Sequence, residues 1–192
     1  MASLEILYED NHLLVVNKPA GLATMGAESG PTVHSLAADY IKRKYRKPGK
    51  AFVGVVSRLD AMTSGVIVLA RTSKAASRLS SQFAGRADKL AQKQPSDQGL
   101  PWEVEKVYLA AIDGSLADET GQWVDDLFKD DADHRMRVVD AKRQGSNPNR
   151  LAAEGQDAKR AVLRYCQLTS GVNGSVVAVR LMTGRKHQIR VQ

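Results

Sequence analysis

Apolar positions in this chain fall mostly into short runs of strand length, with helical spacing in only two places. Leu4 to Tyr8 and Leu13 to Val16 flank the polar segment EDNH, which predicts a hairpin ending at Asn17, Lys18 and Pro19. Pro19 and Gly21 then force a turn, and Gly26 to Pro31 read as a loop. Val33, Leu36, Ala37, Tyr40, Ile41 and Tyr45 recur at helical spacing behind Thr32, a candidate N-cap. Val53 to Val56 and Val66 to Ala70 predict two strands joined by a polar connection, after which Ser73 is expected to cap a helix whose Ala76, Leu79 and Phe83 share a face. From Gly85 to Pro101 the periodicity is lost and a loop is expected. Trp102 to Ile112 predicts the next strand, Gly114 to Gly121 a turn region, and Gln122 to Phe128 and Arg135 to Val139 weaker strands. Gly145 to Asn149 is a cluster of breakers, and Arg160 to Leu168 and Val176 to Met182 form two strands around the turn Ser170 to Ser175.

Strands so outnumber helices that the pattern predicts an α+β chain, a mostly antiparallel or mixed sheet with a few helices packed on it. Its 192 residues suit one domain, or one domain with a sub-lobe, and bury a substantial core. There is no internal repeat, heptad or low-complexity tract. The N-terminal MASLEILYED lacks a basic segment followed by an apolar one, and the apolar runs are too short to span a bilayer. A single cysteine, Cys166, makes no internal disulfide and offers no metal cluster, which fits a reducing compartment.

Lys and Arg outnumber Asp and Glu by 28 to 21, a formal +7 that biases the chain toward polyanionic partners without identifying one. Lys42, Arg43, Lys44, Arg46, Lys47 and Lys50 crowd the end of the first helix and the loop beyond it. A solvated face that complements the helix C-terminus accounts for such a cluster, and contact with phosphate is the other reading.

The polar connection between Val56 and Val66 holds Arg58, Asp60, Thr63, Ser64 and Gly65. A carboxylate two residues from a guanidinium on a strand-to-strand connection is held by a rigid scaffold. Local sequence leaves open whether Asp60 serves there as an Asx-turn acceptor, with Arg58 a surface charge, or carries chemistry.

The segment SRLDAMTSGVIVLA resembles the catalytic motif of the RluA group of pseudouridine synthases, whose usual form is HRLDxxTSGxxxxA. YEDNHLLVVNKPAGL (Tyr8 to Leu22), EKVYLAAIDG (Glu105 to Gly114) and LMTGRKHQIRV (Leu181 to Val191) are similar to further stretches of that family in the same order. The resemblance implies a pseudouridine synthase fold with a cleft across the sheet, and an isomerase that converts uridines in ribosomal or transfer RNA with no metal and no cofactor. By the same resemblance Asp60 matches the catalytic aspartate, Tyr108 the tyrosine that stacks on the target uracil, and Arg185 the arginine that pairs with the aspartate. Arg58 is implied in flipping the base out of its stack, and His187, Gln188 and Arg190 in contacts to phosphate or the flipped nucleotide. A structural role for His187 stands beside that one. Lys18, in KPAG, is implied to hold RNA or to order the turn, and is given no catalytic role.

Two departures accompany the resemblance. Ser57 stands where the family usually has histidine, so altered substrate contacts are expected with activity kept. Family members continue past HQIRV, so residues 1–192 are expected to be a single catalytic domain lacking its C-terminal end, and no separate RNA-binding domain is expected before Leu4. A cytoplasmic monomer is the expectation that completes this reading. The alternatives are an RNA-binding protein of the same fold with little or no turnover, and a carboxylate-dependent hydrolase. Glycosidases normally pair two carboxylates, whereas the matched motifs supply one.

Overall fold

The computed structural model describes residues 4–90, 104–139 and 157–192. The chain divides into two compact units, Met1–Ala84 and Gly85–Gln192. The α+β, antiparallel character expected from the sequence is present, with the strands distributed over two sheets of four and five strands.

In the first unit, β1 (Glu5–Glu9), β2 (Leu13–Lys18), β3 (Gly54–Val55) and β4 (Gly65–Ala70) form a sheet in the order β1-β2-β4-β3, all pairs antiparallel. Alternation along β2 turns Leu14, Val16 and Lys18 to the interior, and Ile67 and Leu69 do the same from β4, whereas Ala70 is buried on the opposite face of the sheet. Helix α1 (Val33–Lys44) lays Val33, Ala37 and Ile41 against Leu14, Val16, Ile67 and Leu69. Each large aliphatic side chain fully buried this way contributes roughly 1.5–3 kcal/mol. Thr32 caps α1 as expected: its hydroxyl accepts from the Ser35 amide at 3.1 Å while Ser35 Oγ accepts from the Thr32 amide at 2.9 Å. At the other end the Lys47 amide donates to Lys42 O and the Arg46 amide to Arg43 O, a Schellman closure that places Arg46 at φ +48. Glycine is the usual occupant there, and a side chain costs about 1 kcal/mol.

Helix α2 (Ser73–Leu90) differs from expectation at both ends. Its cap is Thr72 and not Ser73, since Thr72 Oγ1 accepts from the Ala75 amide at 3.2 Å and Thr72 O from the Ala76 amide at 3.0 Å. Its C-terminal part runs through Gly85, where a loop was expected, because Arg86, Ala87, Lys89 and Leu90 are good helix formers and one glycine costs the helix only about 1 kcal/mol. The rest of that expected loop, 91–101, lies outside the described residues, as does the breaker cluster Gly145 to Asn149. Ala75 is buried and Ala76, Leu79 and Phe83 are half-buried, so the expected face packs inward. Gly54 makes that packing close, for a Cβ added there would stand 2.8 Å from Ala76 Cβ.

Glu9 ties three of these elements together. Its carboxylate accepts from Tyr40 at 2.8 Å, Lys44 at 2.6 Å and Tyr45 at 2.7 Å, and Arg71 lies 3.0 Å away with its guanidinium over the Tyr45 ring. Burial alone raises its pKa, but the hydrogen bonds from Lys44, Tyr45 and Tyr40 outweigh it and bring it from 4.5 to about 2. A depressed native pKa stabilises the fold above 4.5, and that contribution disappears as pH falls toward about 2. The difference is worth up to roughly 3 kcal/mol, which solvent around the exposed Lys44 reduces to about 2. Glu9→Gln is therefore expected to lose about 2 kcal/mol at neutral pH and to flatten the acid limb of the stability profile, as read by urea midpoints from neutrality down to about pH 2.

In the second unit, β5 (Val107–Ile112), β6 (Thr120–Asp130), β7 (Arg135–Val138), β8 (Lys159–Gly171) and β9 (Gly174–Leu181) form an antiparallel sheet in the order β5-β9-β8-β6-β7. The strand expected from Trp102 begins at Val107. Residues 104–106 are described and carry no strand, whereas Trp102 and Glu103 lie outside the described residues. Leu163, Val177, Val179 and Leu181 form the core, with Tyr108, Tyr165, Trp123 and Ile189 packed on it. A short helix α3 (Gln188–Val191), not anticipated from the sequence, ends the chain.

Candidate active site

Asp60 is half-buried on the connection between β3 and β4, and Arg58 is exposed beside it. The chain turns tightly after Asp60, with the Thr63 amide donating to the Asp60 backbone carbonyl at 3.0 Å. On both sides of Asp60 the backbone is held by the turn that follows β2. Thr24, buried at 3% exposure, donates through its hydroxyl to Leu59 O at 2.8 Å and accepts from the Leu59 amide at 3.2 Å. Ala61 O accepts from the Gly21 amide at 2.9 Å and from Lys18 Nζ at 2.8 Å. The residues before and after Asp60 are thus fastened by three positions of one turn. That turn is itself fixed, because the carbonyls of Ala23 and Thr24 accept from the Val33 and His34 amides at the start of α1.

Lys18 is the unexpected member of this arrangement. It is fully buried, and its three N–H groups are spent on Pro19 O at 2.9 Å, Leu22 O at 2.7 Å and Ala61 O at 2.8 Å. Of the two roles the sequence offered for it, this geometry serves the ordering of the turn. Burial pushes the ammonium pKa down, and the negative charge of Asp60 opposes that. Gly21 takes φ +84 in the same turn, a conformation glycine adopts without a Cβ penalty.

In the second unit Tyr108 lies on β5 opposite Val179 and is half-buried against the core. Arg185, His187, Gln188 and Arg190 sit together on the segment that follows β9. Arg185 donates through Nε to Arg160 O at 2.8 Å, and His187 occupies the left-handed region at φ +54 just before α3. Gln188 is 3% exposed, and its amide is fully used inside the unit. Its Oε1 accepts from Thr183 Oγ1 at 2.9 Å and the Arg185 amide at 3.0 Å, and its Nε2 donates to Val162 O at 3.1 Å and Gln192 Oε1 at 2.8 Å. Gln188 therefore fixes the backbone that carries Arg185. Thr24 and Thr183 drew no notice in the sequence. Their only signal was a hydroxyl in a turn beside a motif, and the partners lie 35 and 21 residues away.

The second unit's motif and the Asp60 loop of the first have a common context. A family model described as RNA pseudouridylate synthase matches residues 12–192. The chain belongs to the RNA pseudouridylate synthase family. Among its relatives, ribosomal large subunit pseudouridine synthase D of Zymomonas mobilis is 33% identical over 195 residues, covering 98% of this chain and 51% of the relative. The protein of the same name from Xanthomonas campestris is 34% identical over 194 residues, covering 98% and 47%. The solved structure of human RNA pseudouridylate synthase domain containing 4 has a TM-score of 0.68 at 25% identity, covering 97% of this chain and 62% of that one. The chain spans about half the length of the curated relatives it matches.

Proposed function

We propose that this chain isomerises uridine to pseudouridine in ribosomal or transfer RNA, with Asp60 as the group that acts on the nucleoside. The observation that carries the proposal is the family match over residues 12–192, within which Asp60 stands in the RLD segment with its two neighbours pinned by Lys18, Gly21 and Thr24. A carboxylate that attacks or assists at C1′ needs a fixed direction, and the braced backbone on both sides of Asp60 supplies it.

In the reaction the C1′–N1 bond breaks, the uracil turns, a C1′–C5 bond forms, the proton on C5 leaves to solvent, and N1 takes up a proton, so that substrate and product are isomers. Asp60 acts as nucleophile or as the base assisting cleavage. Tyr108 offers a ring to stack on the uracil, and Arg185 a guanidinium to pair with the carboxylate. Arg58 fills the space the flipped base leaves, and His187 and Arg190 contact phosphate or the nucleotide. Gln188 supports that contact surface from within. The residues need no metal or cofactor for these steps, and we read the protein as a cytoplasmic monomer.

The test is incubation with unmodified ribosomal and transfer RNA transcripts, followed by carbodiimide treatment and primer extension. New stops at defined uridines are the expected result, with ribosomal RNA favoured by the names of the relatives. RNA binding without any new stop overturns the proposal in favour of a binding module.

A further inference from the structure

Beside the turn after α1 lies an open groove, with Pro31 and Leu36 among its lining and Lys42, Arg43, Arg46 and Lys47 around it. All four basic residues are exposed. Asp39 is the single acidic residue in the lining, so the groove carries an excess of three positive charges.

Helix C-termini attract cations, and that accounts for some of the cluster. Two observations go further. Where a basic residue of this helix does structural work, it is paired: Lys44 is committed to Glu9 at 2.6 Å. No ion pair is formed by Lys42, Arg43, Arg46 or Lys47 among the described residues. Arg43 Nε reaches only the Asp39 backbone carbonyl, at 3.3 Å. The second observation is Arg46 itself. It occupies the left-handed residue of the Schellman closure at φ +48, where glycine closes a helix with less strain. Retaining an arginine there gives up stability for a guanidinium at the groove, and strain of this kind points to use. The same closure folds residues 46 and 47 back beside 42 and 43.

We propose that this groove is an RNA-backbone site, in which Lys42, Arg43, Arg46 and Lys47 contact phosphates of the substrate RNA away from the uridine being modified. Contacts of this type position a substrate without reading its sequence, and they release counterions, so affinity falls with salt in proportion to their number. The inference rests on RNA being the partner and not on the identity of the catalytic residue.

The experiment measures the dissociation constant for an unmodified large-subunit ribosomal RNA transcript over a series of salt concentrations, without turnover. Replacing Lys42, Arg43, Arg46 and Lys47 together by glutamine is expected to weaken binding tenfold or more at low salt and to reduce the slope of log affinity against log salt by about three. Arg46→Gly is the sharper variant. It relieves the strained turn, so its Tm is expected to stay or rise, while the slope falls by about 0.7 to 0.9. A purely structural arginine would move neither quantity in that combination. An unchanged slope in the fourfold variant overturns the proposal and leaves the groove to a different partner, such as an acidic protein. Weaker binding with the slope unchanged also overturns it. If the wild-type chain binds no RNA, the reading on which the proposal rests fails as well, whereas normal wild-type binding with an indifferent groove removes the groove alone.

Discussion

Lys18→Met is expected to destabilise the first unit by about 3 kcal/mol and to slow catalysis at temperatures where the variant is still folded. Methionine fills similar space but donates nothing. Pro19 O and Leu22 O would lose the ammonium, and Ala61 O would keep only the Gly21 amide. A buried carbonyl without a partner costs roughly 1–3 kcal/mol, so two orphaned acceptors and one weakened one give the total. The shift in Tm is expected to be about 10 °C. Activity suffers by another route: Asp60 loses a nearby positive charge and one of the anchors on the residue that follows it. A slight loss of aim at the reacting centre costs between about ten and a hundredfold in rate. Arginine is not expected to rescue, since its planar fork cannot direct three donors to carbonyls converging on one point. Urea midpoints and turnover measured on the same preparations check both parts, and a variant as stable and as active as the wild type would contradict the bracing role.

How far this arrangement was legible in the sequence can be followed at particular residues. Alternation along β2 turns Leu14, Val16 and Lys18 to one side, so the inward direction of Lys18 was implicit in the pattern. What hid it was chemistry. A lysine beside a proline turn is ordinarily solvated, and its burial depends on carbonyls from its own turn together with Ala61, 43 residues away. The same holds for Thr24, which meets Leu59 only because β2 pairs with β4. Elements built from local signals were readable. Thr32 and Ser35 close a capping box, the apolar spacing defines α1, and the hairpin around SGVNGS joins β8 and β9.

Elements set by competition between weak local preferences were read less well. Gly85 suggested an end to α2 that neighbouring helix formers override, and Thr72 competed with Ser73 for the cap. Gln188 shows a different limit. In the motif it reads as a polar residue available to substrate, yet the structure commits both ends of its amide to Thr183, the Arg185 backbone, Val162 and Gln192. Sequence pattern locates a polar side chain on a motif, but the direction it faces follows from strand register and from which backbone groups need partners. The division of the strands between two sheets was equally out of reach, since pairing across a long connection leaves no local trace.

Asp60→Asn is the substitution with the largest expected consequence, a fall in turnover of about a thousandfold or more. Asparagine keeps the size and much of the hydrogen bonding of aspartate. The tight turn at Asp60 is closed by its backbone carbonyl, and the anchors on Leu59 and Ala61 are made by other residues, so the fold is expected to remain. What disappears is the negative charge that, in the role proposed for Asp60, would form a bond at C1′ or assist its cleavage. The decisive measurement is tritium release from ribosomal RNA labelled at uridine C5, comparing wild type with Asp60→Asn at matched RNA binding and matched Tm. Steady release by the wild type and none above background by the variant is the predicted result. Release by the variant within about tenfold of wild type would contradict the assignment of Asp60 as the residue that acts on the nucleoside.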